Sequence, residues 1–215
     1  MVTFISTSCG RPDLLKRSMD SFMEYNTFPI SEYIITEDST DKSIYEELLY
    51  MYPDFNILFN DKNIGLIRCL DRLYSKVRTP YVFHCGDDWA FKKSGFIEES
   101  LKVLDSDTHI FQAWLQPIGG HEFVQQNYYK LILHNLSDPE HPWYGFGFVP
   151  GLRRLSDYKL IGSFADYLCA GDYPALTEWR INVKYHELDF RAVCLNDEYC
   201  YNIGANRVNP GGERK

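Results

Sequence analysis

Apolar and polar positions along the first half of the chain switch repeatedly between two periods. Short apolar runs of strand length occur at Val2–Ser8, Tyr33–Thr36, Phe55–Phe59, Tyr81–Cys85 and His109–Leu115. Between them, apolar residues return every three or four positions, as on a helix face. Leu15, Met19, Phe22 and Met23 follow Pro12, which a first helical turn tolerates. Ile44, Leu48, Leu49 and Met51 follow a polar stretch, Glu37-Asp38-Ser39-Thr40-Asp41, suited to a turn and an N-cap. Asn63 and Gly65 open a helix carrying Ile67, Leu70, Leu73, Tyr74 and Val77, which Thr79-Pro80 breaks. Ser94 is the expected cap of a helix with Ile97, Leu101 and Leu104.

This alternation predicts an α/β fold, a three-layer α/β/α sandwich around a mainly parallel sheet. In such sheets ligands bind beyond the carboxyl ends of the strands. Polar residues sit at four of those ends: Ser6-Thr7-Ser8 with Arg11, Glu37-Asp38, Asn60-Asp61 with Asn63, and Asp87-Asp88.

The second half is less regular. Residues 116–151 are rich in Gly, Pro, His and aromatics, with a strand-like Tyr128–Leu133; connections this long are usually functional or mobile. Ser156–Leu168 reads as helical, and a further helix starts at Asp172-Tyr173-Pro174 and runs through Leu176, Trp179, Ile181 and Val183. Arg191–Leu195 and Tyr199–Ile203 are short strands. Residues 209–215 are a breaker-rich tail that reads as a linker from a longer, multidomain chain.

Composition narrows the function classes. With 215 residues, 45% hydrophobic and 24% charged, the chain is long enough for one domain and too apolar for disorder. Its net charge of −8 argues against a duplex nucleic-acid partner, although an acidic enzyme binds a polyanion when a metal ion lies between them. No apolar run approaches the roughly 18 residues a membrane span needs, and the opening MVTFISTSCGRP lacks the basic segment of a secretory signal. The six cysteines have no C-x-x-C spacing; Cys69, Cys85 and Cys194 lie in apolar segments as small buried hydrophobes. A cytoplasmic, reducing location is expected.

The sharpest chemical feature is Gly86-Asp87-Asp88 at the end of the fourth strand. Adjacent carboxylates repel one another unless a cation offsets them. Oxygen ligands favour Mg²⁺ or Mn²⁺, which complete their shells with water and substrate phosphates. A solvated Gly-Asp turn is the bland alternative; the three other polar strand ends favour the functional one.

Several segments, in order, resemble the GT-A glycosyltransferases of the family-2 type. Phe4-Ile5-Ser6-Thr7-Ser8-Cys9-Gly10-Arg11-Pro12 is similar to their PTYNRP opening, and Ile35-Thr36-Glu37-Asp38-Ser39-Thr40-Asp41 to their VDDGSTD segment. Asn63-Ile64-Gly65 matches NxG, and Phe83-His84-Cys85-Gly86-Asp87-Asp88-Trp89 resembles an FHLEDDW form of their DXD metal motif. Pro150–Ser156 and Tyr201–Gly204 resemble the PGLYRLS and YVxHIG segments of one bacterial and viral branch. The resemblance spans residues 4–204. It implies a single GT-A-like domain over 1–208, with a nucleotide-sugar-binding half (1–115) and an acceptor half (116–208). It also implies transfer of a sugar from a nucleotide diphosphate, UDP by preference, to a hydroxyl of a glycan or other acceptor, usually with inversion. The implied setting is the cytoplasm of a bacterium or of a cell infected by a large DNA virus.

Residue roles follow from the resemblance. Thr7, Ser8, Arg11 and Asp38 would hold the nucleoside; Asp38 could accept the uracil N–H or cap a helix, and Glu37 is its substitute. Asn63 belongs to the same pocket. Arg68, on the next helix, and Arg207 are the diphosphate candidates, since guanidinium suits bidentate phosphate contacts. Asp88 aligns with the last acidic residue of the metal motif, Asp87 would orient a metal-bound water or a ribose hydroxyl, and Asn202 stands where a histidine metal ligand is frequent. Gly86 stands where the motif has an acidic residue. His84 reads as core. Glu178 resembles the acidic residue at the start of the late helix, the general base that an inverting transfer requires. Asp172 and Asp166 are its reserves. Trp114, Phe146 and Trp179 are candidates for a sugar or acceptor pocket, or for core.

Two other classes stay open. A sugar-phosphate nucleotidylyltransferase shares the layered architecture, but its Gly-rich loop and lysine are missing after the first strand. A non-catalytic carbohydrate-binding module would need neither nucleotide nor the acidic turn.

Overall fold

The computed structural model describes residues 1–116, 123–132, 143–169, 171 and 174–204. The first half follows the expected alternation: β1 (Val2–Ser8), α1 (Pro12–Tyr25), β2 (Ile30–Glu37), α2 (Lys42–Met51), β3 (Asn56–Phe59), α3 (Leu66–Tyr74) and β4 (Tyr81–Gly86). Pro12 starts α1 as the sequence predicts, and Asp41 caps α2 by accepting the Ser43 backbone N–H at 2.8 Å. After β5 (Trp89–Phe91), α4 (Phe96–Ser106) begins one residue later than expected, with Gly95 rather than Ser94 at its cap.

The main sheet has the order β3-β2-β1-β4-β9, with the first four strands parallel. Their carboxyl ends therefore open onto one edge. β9 (Gly151–Arg154) is antiparallel to β4, with Leu152 opposite Phe83.

Two expectations are corrected here. The fifth predicted strand, observed as β6 (Ile110–Trp114), does not extend the main sheet. It pairs in parallel with β10 (Arg191–Leu195) in a second sheet of order β6-β10-β8-β7, where β7 is Phe123–Gln125 and β8 is Tyr129–Ile132. The predicted helix over Ser156–Leu168 is shorter. α5 (Leu155–Ile161) ends at Gly162, whose φ of +85° is unfavourable for other residues, and a single 3-10 turn follows at Phe164–Tyr167. α6 (Pro174–Glu187) runs as expected, and β11 (Cys200–Asn202) forms a two-stranded ribbon with β5.

Side chains alternate across the main sheet, so each face builds its own core. On one face Phe4 and Phe83 pack with Phe22 of α1, Phe91 of β5 and Phe96 of α4. On the other, Ile5, Ile34 and Val82 meet Ile67, Leu70 and Leu73 of α3, and Ile181 and Tyr185 of α6 belong to the same cluster. Each such side chain contributes about 1.5–3 kcal/mol on burial. Asp71 of α3 joins the halves by accepting from the Tyr158 and Ser163 hydroxyls and the backbone N–H groups of Phe164 and Ala165. No helix among the described residues is long and apolar enough to cross a membrane, and no cysteine pair is bridged.

Candidate functional site

Two buried carboxylates zip the strand-end loops together. Glu37, at the end of β2, is fully buried and accepts the Ser8 hydroxyl at 2.9 Å, the Gly10 N–H at 2.9 Å and the Ser39 N–H at 2.8 Å. Asp38 accepts the Asn60 amide at 2.8 Å and the N–H groups of Ile64 and Gly65 at 2.9 Å each. The Asn63 side chain donates to the Asp38 carbonyl at 2.9 Å. Each of these carboxylates is satisfied by donors of the protein itself. Neither caps α2; that role is Asp41's. Glu37, Asp38 and Asn63 thus set the shape of the edge, and Ser8 serves Glu37. The Cys9 thiol beside them is pushed up to about 11 by burial and by the neighbouring carboxylates, so it stays protonated.

Arg11, expected at the nucleoside, makes contacts that the sequence does not report. It sits at the N-cap of α1 without capping it, and its guanidinium reaches across to the end of β4. Nε donates to Asp87 Oδ2 at 3.0 Å and Nη2 to Asp87 Oδ1, a bidentate fork, while Nη1 lies 3.6 Å from Asp88 Oδ2. The cation that the adjacent carboxylates require is therefore already supplied by the chain. Burial pushes the Asp87 carboxyl up to about 7 against the pull of Arg11. The Asp88 side chain is more open, at 23% exposure against 2% for Asp87.

The C-terminal ribbon closes on the same turn. Asn202 pairs with Trp89 in the β5–β11 ladder, and the Ile203 N–H donates to the Asp88 carbonyl at 2.8 Å. Gly204 packs so tightly that an added Cβ would lie 2.5 Å from Asp88 Cβ. Topology thus brings Asn202 beside the acidic turn. Its amide oxygen, however, accepts the Gly204 N–H at 2.9 Å in a local turn.

Among the described residues no three His, Cys, Asp or Glu side chains form a metal cluster. The donor set still suits a hard cation of the Mg²⁺ or Mn²⁺ type. Such ions use one or two carboxylates and take phosphates and water for the rest, and Asp88 offers one partly open carboxylate.

The second centre is Glu178, in the first turns of α6. Its carboxylate accepts the Phe148 N–H at 2.6 Å. Burial raises its pKa above the ordinary glutamate value, against the opposing pull of that N–H and of the Arg153 guanidinium. Arg153 itself was not singled out from the sequence. It is 3% exposed, donates to the carbonyls of Gly147 at 2.5 Å and Val149 at 3.4 Å, and donates to His84 Nδ1 at 3.2 Å. It therefore holds the residues on either side of Phe148. His84 is buried as expected, and burial with Arg153 beside it keeps the imidazole neutral.

The aromatic candidates divide. Phe146 is 1% exposed, packed among Phe111, Phe148, Phe164 and Tyr185, so it is core rather than a pocket wall. Trp114 is buried too, with Nε1 donating to the Gly145 carbonyl at 2.7 Å and its ring against Gly147. Trp114 supports the 145–148 segment, and Phe146 anchors that segment in the core. Trp179 is half-buried on α6. Thr7 is half-buried on β1 between Thr36 and Gly86, Arg68 is exposed on the first turn of α3, and Asp166 is exposed on the 3-10 turn. Asp172, Arg207 and the 209–215 tail lie outside the described residues.

Residues 3–159 match the model of glycosyl transferase family 2, and the chain belongs to that family. Among solved structures it resembles the mannosyltransferase PcManGT of Pyrobaculum calidifontis, in complex with GDP-Man and Mn²⁺, at 13% identity and a TM-score of 0.66, covering 97% of this chain and 58% of that one. It also resembles residues 1–349 of S. aureus TarS in complex with UDP (13% identity, TM-score 0.64, 93% and 59% coverage). GalNAc-T7 with UDP, GalNAc and Mn²⁺ gives 11% identity, a TM-score of 0.67 and 98% and 45% coverage. The chain thus spans roughly half the length of these structures, which share its fold. No curated protein sequence matches it.

Proposed function

We propose that this chain is a metal-dependent, inverting glycosyltransferase that moves a sugar from a nucleotide diphosphate, UDP-linked by preference, to a hydroxyl of a glycan or similar acceptor. Family membership and the shared edge on which the four parallel strands end, the Asp87–Asp88 turn among them, support it. The single observation that carries it is the division of labour at that turn: Asp87 is committed to Arg11, while Asp88 keeps a partly open carboxylate beside the closing Ile203–Gly204 segment.

In this reading the nucleotide lies over the ends of β1 and β2, on the loops that Glu37 and Asp38 hold, with Thr7 and Arg68 at its margin. Asp88 is the residue that would hold Mn²⁺ or Mg²⁺ beside the diphosphate. When bound, the ion offsets negative charge on the leaving diphosphate. Glu178 takes the proton from the acceptor hydroxyl as that oxygen attacks the anomeric carbon opposite the departing phosphate, which inverts the configuration. The Phe148 N–H fixes the carboxylate, and burial raises its affinity for the proton. Trp179, on the same helix, flanks the acceptor in this reading. The buried rings of Trp114 and Phe146 anchor the 145–148 segment that carries the Phe148 N–H.

A panel of nucleotide sugars incubated with Mn²⁺ tests the proposal through slow donor hydrolysis without acceptor. Release of free nucleoside diphosphate, abolished in Asp88→Asn, is expected. Release of sugar 1-phosphate with nucleoside monophosphate would indicate nucleotidyl chemistry, and no nucleotide binding at all would indicate a carbohydrate-binding module.

A further inference from the structure

We propose that Arg11 is the built-in counter-cation of the Asp87–Asp88 turn and that it makes divalent-cation binding conditional on the nucleotide diphosphate. The inference rests on the assignment of Asp88 as a metal ligand and extends it to a residue expected only to touch the nucleoside.

Three observations support it. First, the guanidinium addresses both carboxylates, with a bidentate fork on Asp87 and Nη1 at 3.6 Å from Asp88 Oδ2. Second, the arrangement is enclosed. The Arg11 side chain is 14% exposed and Asp87 2%, so the pair is weakly screened and the fork is held from both ends of a 76-residue separation. Third, Gly86 brings no third carboxylate, and the Asn202 oxygen is spent on Gly204.

A free divalent ion approaching Asp88 meets one available carboxylate and a fixed positive charge a few ångströms away. Repulsion from that charge opposes binding of the bare ion. A diphosphate reverses the balance, because its oxygens supply further ligands and its negative charge is attracted by Arg11 as well as by the ion. Arg11 is thus a positioning residue. It keeps the turn formed without a metal and reserves Asp88 for the ion that arrives with, or after, the nucleotide.

The test is the uptake of Mn²⁺ followed by electron paramagnetic resonance of the free ion, with and without UDP, in the full chain. The wild type is expected to take up Mn²⁺ only when UDP is present. Arg11→Met removes the fixed positive charge beside the Asp88 carboxylate and should bind Mn²⁺ alone, with affinity raised on the order of tenfold or more over the wild type. Arg11→Lys keeps the charge and should retain the requirement for UDP. Wild-type uptake of Mn²⁺ without UDP, equal to that with UDP, overturns the inference even if Arg11→Met does not fold. Folded Arg11→Met that still ignores Mn²⁺ alone overturns it too. No uptake by the wild type with bound UDP removes the metal assignment itself, a separate failure.

Discussion

The Glu178 carboxylate accepts the Phe148 N–H at 2.6 Å, and the two carbonyls flanking that N–H, of Gly147 and Val149, are held by Arg153. A loop N–H, held in place by a strand arginine a few residues on, thus fixes a helix carboxylate 30 positions away. The expected consequence is that Glu178→Gln binds the donor normally and loses transfer by a factor of about 10²–10⁴, the usual contribution of a general base. Donor titration calorimetry and acceptor turnover, measured on the same preparation, check the split.

The same substitution has a predicted effect on stability. Burial raises the Glu178 pKa, so the fold favours its neutral form. That contribution is complete below the ordinary glutamate range and is lost as pH rises through the raised value. Glu178→Gln, which is always neutral and can still accept the Phe148 N–H, should therefore be at least as stable as the wild type at pH 7. Urea unfolding at pH 7 and pH 4 would show the difference between the two proteins growing toward pH 7.

Arg153 should set the acid limb of the pH–rate profile. Its positive charge favours ionised Glu178. Removing that charge in Arg153→Met raises the glutamate pKa, and since transfer needs the carboxylate, the limb moves to higher pH. Arg153→Lys should keep the limb near its wild-type position. A purely architectural role for Arg153 would lower the rate at every pH and leave the limb where it was.

Asp38 is predicted to matter first for the fold. Asp38→Ala leaves the Ile64 and Gly65 N–H groups and the Asn60 amide without their acceptor, at about 1–3 kcal/mol for each buried group left unpaired. Chemical denaturation should report the loss, together with weakened nucleotide binding as the loop before α3 relaxes.

Gly204→Ala tests the closing ribbon. Its Cβ would fall 2.6 Å from Asp88 Oδ2, so either the ribbon or the carboxylate must move. Donor binding that depends on Mn²⁺ should be lost while the unfolding midpoint stays within a few degrees of wild type, because Gly204 lies beyond β11 and outside the main sheet.

Much of this was legible in the residues. The strand and helix periods of the first half placed β1 through β4 and their helices, and Asp41 and Pro12 marked helix starts by local chemistry alone. The strand-end convergence followed from topology. What failed was non-local. β9 carries two arginines in Gly151-Leu152-Arg153-Arg154, so its apolar alternation is hidden, and it took the place expected for β6. No local signal reports that Arg11 meets a carboxylate 76 positions away, or that the Asp38 carboxylate turns inward onto Ile64 and Gly65. Trp114 and Phe146 have side chains equally suited to a sugar face or a core, and only packing decides. Glu178 and the role of Asp88 came from motif resemblance rather than periodicity.

The central claim is that Asp88 and a nucleotide diphosphate share one divalent cation. Crystals grown with UDP and Mn²⁺ and measured at the manganese absorption edge test it directly. The account predicts one anomalous peak within direct ligand distance of an Asp88 carboxylate oxygen and in contact with the diphosphate. Bound UDP with no peak there, or manganese elsewhere on the chain, would contradict it.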